Sequence, residues 1–338
     1  MATDIILSVI VPVYNTESKY LNRMIDSFRD LTSRSKVELI LVDDGSRDDV
    51  GSLLDSFKNN LSIPCNVIHC KNGGQNKARV IGTYYARGVW IQFLDSDDFL
   101  DVHTLLNLVC QADFERADVV MCDYFAVADS CEFVNNASQS SKLILNNTSP
   151  KQMLLKAGSV WKLLIRRSSF LRMDFSYADD LRIGEDLAMS AGLIMQSRSP
   201  MLTSAKYYYY YQNKESVSHS GNKDAVFEIE EAIDSIKSVC VDDVAFDSEI
   251  EWLAVFHVFY WNSIRLSRWG FLDRDSYIQM RDWLDDRFSD WRNNDYLDII
   301  PIAQTKVFKI LTSGSWMRVW LLSILDHLFC KIFRKSLL

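Results

Sequence analysis

The sequence predicts an α/β fold, a mostly parallel sheet flanked by helices, followed by an α-helical C-terminal region. Three observations predict it. Residues 5–98 alternate apolar, β-branched runs with apolar residues at helical spacing, joined by short links. Polar loops follow successive strands, which puts them on one carboxyl edge of the sheet, where nucleotides bind in such folds. From about residue 224 the strand pattern stops, and helical patterns occupy 224–240, 248–268, 274–290 and 315–335. The expected boundary lies near 222, giving a nucleotide-binding domain over 1–222 and a helical region over 223–338.

Each element has a local reason. Residues 5–13 form a run that is apolar but for Ser8, as a buried parallel strand should, with Pro12 near its end where the lost N–H is tolerated. Leu21, Met24, Ile25, Phe28 and Leu31 repeat at helical spacing. Val37 to Val42 is a second strand, ending in Asp43-Asp44-Gly45-Ser46, and a helix over about 50–61 follows. Cys65 to Cys70 is a short third strand leading into Asn72-Gly73-Gly74-Gln75-Asn76-Lys77-Ala78-Arg79, a Gly-rich turn that opens a helix. The run 89–94 is a fourth strand, closed by Asp95-Ser96-Asp97-Asp98. A helix over 105–112 and a strand over 119–127 come next. Residues 129–149 are rich in Asn and Ser without a period and read as a loop. Val160 to Ile165, including Trp161, reads as a strand, and Gly184-Glu185-Asp186 opens a helix. Tyr207 to Tyr211 is a strand of five consecutive tyrosines.

The chain has 338 residues, 48% of them apolar, enough for a sizeable core. A net charge of −8 argues against a nucleic-acid partner. The seven cysteines are scattered with no C-x-x-C pair, which fits reduced thiols and a cytoplasmic location. No stretch reads as a signal peptide or a membrane span.

The polar clusters each allow a chemical reading and a plainer one. Asp95 and Asp97 are two apart, so an extended backbone aims both at one face. Two hard oxygen donors suit Mg²⁺ or Mn²⁺ bound with a diphosphate; the plainer reading is an acidic turn in which Asp98 or Asp101 caps the next helix. Asp43 and Asp44 suit hydrogen bonds to a base and ribose, or a simple Asp-Gly-Ser turn. Gly74 would admit a ligand close to the backbone, and Arg79 would pair with a diphosphate. Glu185 and Asp186 begin a helix, where acids are common; one of them would serve as a general base and the other would touch the acceptor. His219, in a polar loop, is either a surface residue or a nitrogen ligand completing a metal shell.

With Ser8 through Asn15, Val42 through Ser46, Asn72 through Arg79, Asp95 through Asp98 and Gly184-Glu185-Asp186 in order, the chain resembles the family 2 glycosyltransferases, inverting enzymes of the GT-A fold, many of which build bacterial surface polysaccharides. The resemblance covers about residues 5–220. It implies that Pro12, Tyr14 and Asn15 line the nucleotide pocket and that Asp44 binds the base. It places Arg79 near the diphosphate, Asp95 and Ser96 by ribose or sugar, Asp97 on the metal and Asp186 as the base. Glu185 and Trp161 are assigned to the acceptor. Gln75-Asn76 departs from the family, where small residues are commoner. Processive members carry Q-x-x-R-W, whereas Gln279-Met280-Arg281-Asp282-Trp283 has the wrong spacing.

The implied reaction moves one sugar from a nucleotide-diphosphate sugar, UDP-linked, to a saccharide or lipid-linked acceptor. An inactive partner subunit that binds a sugar nucleotide is the alternative. A nucleotidylyltransferase would need a Gly-rich basic loop after the first strand, and Pro12-Val13-Tyr14-Asn15 is not one. The last helical pattern, 315–335, mixes apolar and basic residues and suits a peripheral contact with an anionic inner membrane face, core packing or a homodimer contact.

Overall fold

The computed structural model describes residues 5–128, 144–179, 181–212, 224–239, 246–268, 270 and 272–333. Its contacts divide the chain into two units: Met1–Asp179 with Met189–Ser216, and Asp180–Ala188 with Val217–Leu338. The second unit therefore takes Glu185 and Asp186, which the sequence pattern groups with the N-terminal domain.

In the first unit the strands are β1 (Leu7–Val13), β2 (Val37–Asp43), β3 (Cys65–His69), β4 (Trp90–Phe93), β5 (Phe99–Leu100), β6 (Val119–Val127), β7 (Leu145–Asn147), β8 (Leu163–Arg166) and β9 (Pro200–Tyr211). The order is β3-β2-β1-β4-β8-β6-β9-β5, with β7 also on β9. Strands β3, β2, β1 and β4 are parallel, and β6 runs parallel to β9. Between them lies β8, antiparallel to both β4 and β6. The sheet is thus mixed, parallel where the sequence alternates strand and helix.

Helices α1 (Ser18–Asp26), α2 (Asp48–Asn60), α3 (Gln75–Tyr85), α4 (Val102–Phe114), α5 (Pro150–Leu154) and α6 (Arg167–Phe170) accompany the sheet. Strands β1 and β2 are buried along their whole length, which is why they read as apolar runs broken inside only by Ser8 and Glu38, whose buried side chains bond each other at 2.7 Å. Pro12 pairs with Val42 of β2, and the β4 ladder ends at Ile10 opposite Phe93. The Val13 carbonyl points to β2, so the nitrogen of Pro12 points the other way, past the end of β4, and costs the sheet no bond.

Two expectations are corrected. Val160–Lys162 is a turn of 3-10 helix, and the strand begins only at Leu163; Trp161 therefore stands before the strand. The stretch read as a loop to residue 149 contains β7 at its end, and residues 129–143 lie outside the described residues. Asp101, not Asp98, caps α4, its carboxylate accepting from Thr104 N–H at 3.0 Å.

α7 (Glu185–Met195) begins in residues assigned to the second unit and ends in residues assigned to the first. The second unit continues with α8 (Ile229–Ser238), α9 (Asp247–Ala254), a π-helical stretch Val255–Trp261 and α10 (Asn262–Arg268). It closes with α11 (Arg274–Arg287), α12 (Tyr296–Ile299), α13 (Lys306–Leu311) and α14 (Trp316–Phe333). Trp252, Phe259, Tyr277, Trp291 and Phe308 are buried at its centre.

Candidate active site

The site of the first unit is built where β1, β2, β3 and β4 end together. After β1, Asn15 adopts a left-handed φ of 52°, which asparagine tolerates better than most residues. In that pose its N–H donates to Ser46 Oγ at 3.0 Å and its Oδ1 accepts from Arg47 N–H at 2.9 Å. The loop after β1 is thereby tied to the loop after β2. Tyr14 beside it is exposed.

Asp43 is held inside the protein. Its Oδ1 accepts from Ser46 N–H at 2.8 Å, and Oδ2 meets His69 Nδ1 at 2.7 Å. Burial pushes the Asp43 carboxyl up, but His69 and Ser46 outweigh it and hold the group below its ordinary value. His69 is raised in turn, chiefly by its bond to Asp43. Asp44 is also committed: its two oxygens accept from Gly73 N–H at 2.8 Å and Gly74 N–H at 2.9 Å. The acid expected on the base therefore shapes the Gly-rich loop. Gly74 has φ +89°, a conformation that suits glycine, and it precedes the first residue of α3.

Arg79 differs from expectation. It is fully buried, and its Nη2 donates to Asp95 Oδ1 at 3.1 Å and to Gln75 Oε1 at 3.3 Å. Nη1 reaches Asn76 Oδ1 at 3.2 Å, and the guanidinium lies over Phe93. Gln75 and Asn76, the residues that depart from the family, hold this cation in place. Arg79 sets the orientation of Asp95 and presents no open fork to a diphosphate.

The acidic turn 95–98 is pinned from several sides. Ser96 Oγ shares a hydrogen bond with Thr16 Oγ1 at 2.6 Å, and Arg23 Nη2 donates to the Asp97 carbonyl at 2.7 Å. The buried Asp98 accepts from Tyr208 Oη at 2.7 Å and from Tyr211 N–H at 2.6 Å. Tyr208 Oη also accepts from Asp95 N–H at 3.1 Å. Two of the five tyrosines thus act through this turn. Burial, then the neighbouring Asp95 charge, pushes the half-buried Asp97 carboxyl up to about 6. The same causes, with Asp97 added, raise Asp98 well above the carboxylate range.

Trp161 stacks on Tyr208 with ring centroids 4.3 Å apart and on Tyr210 at 5.5 Å. It is 5% exposed, so it supports the tyrosine strand and offers little surface to a sugar.

In the second unit, Gly184 precedes α7 with φ +82°; a Cβ there would lie 2.5 Å from Ile229 Cδ1 and 2.7 Å from Ala232 Cβ. Glycine lets the start of α7 approach α8. Glu185 is buried and Asp186 is half-buried. His219 lies outside the described residues.

Asp95 and Asp97 suit a hard divalent cation. They are oxygen donors on one short turn, and the Asp95 charge disfavours charge on Asp97, a conflict that a cation relieves. Among the described residues no three His, Cys, Asp or Glu groups gather to hold a metal. These two carboxylates would need ligand oxygens and water to complete a shell.

Sequence reasoning gave no part to His69, Arg23 and Thr16, and read Asp98 only as a member of the acidic turn and a candidate helix cap. His69 at the end of β3 was the one with a signal, since its strand leads straight into the Gly-rich loop.

Residues 8–174 match the family described as Glycosyl transferase family 2. The chain is 28% identical over 230 residues to the uncharacterized glycosyltransferase EpsJ of Bacillus subtilis, covering 66% of each. It is 26% identical over 213 residues to the poly(ribitol-phosphate) beta-N-acetylglucosaminyltransferase TarS of Staphylococcus aureus, covering 62% of this chain and 36% of TarS. With the minor teichoic acid biosynthesis protein GgaB of Bacillus subtilis the identity is 30% over 210 residues, 60% of this chain and 22% of GgaB. The chain thus spans less than half the length of two of these relatives. The structure of S. aureus TarS 1-349 in complex with UDP-GlcNAc superposes with a TM-score of 0.65 at 18% identity, over 96% of this chain and 92% of that one. TarS 1-349 in complex with UDP gives 0.63 at 18% identity.

Proposed function

The chain belongs to family 2 of the glycosyl transferases, and we propose that it moves one sugar from a UDP-sugar to a hydroxyl of a saccharide or lipid-linked acceptor, with inversion at the anomeric carbon. The observation that carries this reading is the acidic turn 95–98, locked by Arg79, Tyr208 and Tyr211 at the end of β4. The TarS structure with bound UDP-GlcNAc supports the choice of donor. The names of TarS and GgaB support an acceptor in bacterial surface polymers.

Asp95 and Asp97 would hold Mg²⁺ or Mn²⁺, which when bound neutralises charge on the departing diphosphate. The chain's own residues do the rest. Asn15 and Ser46 join the loops that frame the nucleotide. Asp44 keeps Gly73 and Gly74 in the conformation that admits it. Arg79 directs Asp95, and Asp98 fixes the turn without contacting ligand. Asp186 is the general base: its carboxylate takes the acceptor hydroxyl proton as the oxygen attacks C1 from the face opposite the nucleotide. The C1–O bond to the diphosphate breaks as the new C–O bond forms, and UDP carries away the electron pair.

Screening UDP-sugars for slow hydrolysis without acceptor, with and without Mn²⁺, tests this reading. Release of UDP from one sugar nucleotide, dependent on the ion, is expected. Binding of UDP without turnover of any donor, with or without candidate acceptors, would instead make the chain a sugar-nucleotide-binding partner.

A further inference from the structure

α14 carries apolar side chains on two sides. Toward its own unit, Val319 is fully buried, Leu322 is 9% exposed and Trp316 packs on Tyr277 at a ring distance of 5.8 Å. On the outside, Met317, Trp320, Leu321 and Ile324 are 69%, 48%, 50% and 38% exposed. Their spacing of three, four and seven residues puts them on one face of the helix. An ordinary packed surface helix would be polar there.

We propose that this stripe docks the protein on an anionic lipid bilayer, with α14 lying along the surface. Charge selects this occupant. Residues 316–338 hold four basic side chains, Arg318, Lys331, Arg334 and Lys335, and one acid, Asp326, in a chain whose net charge is −8. An apolar face holding a tryptophan, joined to basic residues, suits the boundary between headgroups and acyl chains. Among the described residues no helix is long and apolar enough to cross a membrane, so the contact is with the surface. A second copy of the chain is the poorer occupant. Four such side chains offer a few hundred Å², well below the roughly 800 Å² per partner of a stable interface.

The inference goes beyond the transfer reaction and does not rest on it, because docking is read without donor or acceptor. The full chain is floated with vesicles of equal parts phosphatidylglycerol and phosphatidylcholine, and with phosphatidylcholine alone. The wild type is expected to float with the anionic vesicles, less with the neutral ones, and less as salt rises. Trp320→Glu with Leu321→Glu should lower the bound fraction about tenfold or more while the melting temperature stays put. Met317→Gln, at the most exposed position, should weaken flotation in the same direction and serves if the double variant folds poorly. Failure of the wild type to float overturns the proposal, as does equal flotation of wild type and Met317→Gln. A drop in solution mass in the variants, with vesicle binding unchanged, overturns it in favour of a contact between copies.

Discussion

The Tyr208 hydroxyl donates to Asp98 Oδ2 at 2.7 Å, joining β9 to the acidic turn across 110 residues of chain. Both side chains are buried, so neither can turn to water for a substitute partner. Tyr208→Phe should cost about 1–3 kcal/mol, the range for leaving a buried polar group without its bond. A lower melting temperature in thermal denaturation would show it, together with weaker UDP binding as the turn loosens. Unchanged values for both would mean that Asp98 does not anchor the turn.

Arg79 and Asp95 form a pair in which the cation is wholly buried. Arg79→Met would leave Asp95, Gln75 and Asn76 without their donor. A loss of about 1–3 kcal/mol in stability is expected, the cost of leaving hydrogen-bonding groups unpaired, since the Asp95 carboxylate left behind still reaches water. Arg79→Lys should restore little, since one ammonium cannot reach three acceptors in the geometry of the fork. Denaturant titration of the two variants checks both statements.

Gly74 and Gly184 both have positive φ, but only Gly184 is crowded. Gly74→Ala meets nothing within 4 Å, but its φ of 89° with ψ of 159° is a conformation nearly confined to glycine, so it should cost about 1–3 kcal/mol of backbone strain. Gly184→Ala must also displace Ile229 and Ala232, adding roughly 1–3 kcal/mol of overpacking. Comparing the two melting curves tests the difference. Turnover should fall in Gly184→Ala as well, because the residue precedes the helix that carries Asp186.

Glu230 on α8 provides a pH dependence of stability. Burial pushes its carboxyl up to about 7, with Arg287 opposing and Asp234 and Glu231 adding to the rise. A raised carboxyl favours the protonated fold. Stability is therefore greatest below the ordinary value near 4.5 and declines as pH rises through about 7. The full difference corresponds to about 3 kcal/mol, and solvent reaching this partly buried group screens it to less. Glu230→Gln should stabilise the protein at pH 8 and change little at pH 4.5. The reverse order in melting experiments would contradict this placement.

Much of this was legible in the chain. Strands buried on both faces, β1 and β2, announce themselves as largely apolar runs, each with one internal polar residue, Ser8 and Glu38, and the polar residues after them mark the sheet edge. Partners were harder to read. Nothing local shows that Asp43 meets His69, or that Asp98 is met by two tyrosines more than a hundred residues on. The guanidinium of Arg79 would suit a phosphate as well as a carboxylate, and only packing against Phe93 and Asp95 decides. Strand β8 is four residues long, and a short apolar run carries no sign of its direction. The short helices between 296 and 311 hold too few turns to show a period.

The central claim is that the acidic turn serves the donor while Asp186 serves the acceptor. The most direct test is UDP-sugar binding by calorimetry, with Mn²⁺ present, beside single-turnover transfer in two variants. Asp97→Asn should lose metal-dependent donor binding, whereas Asp186→Asn should keep it and lose roughly 10²–10⁴ in turnover. Full turnover in Asp186→Asn, or unchanged metal-dependent binding in Asp97→Asn, would contradict the account.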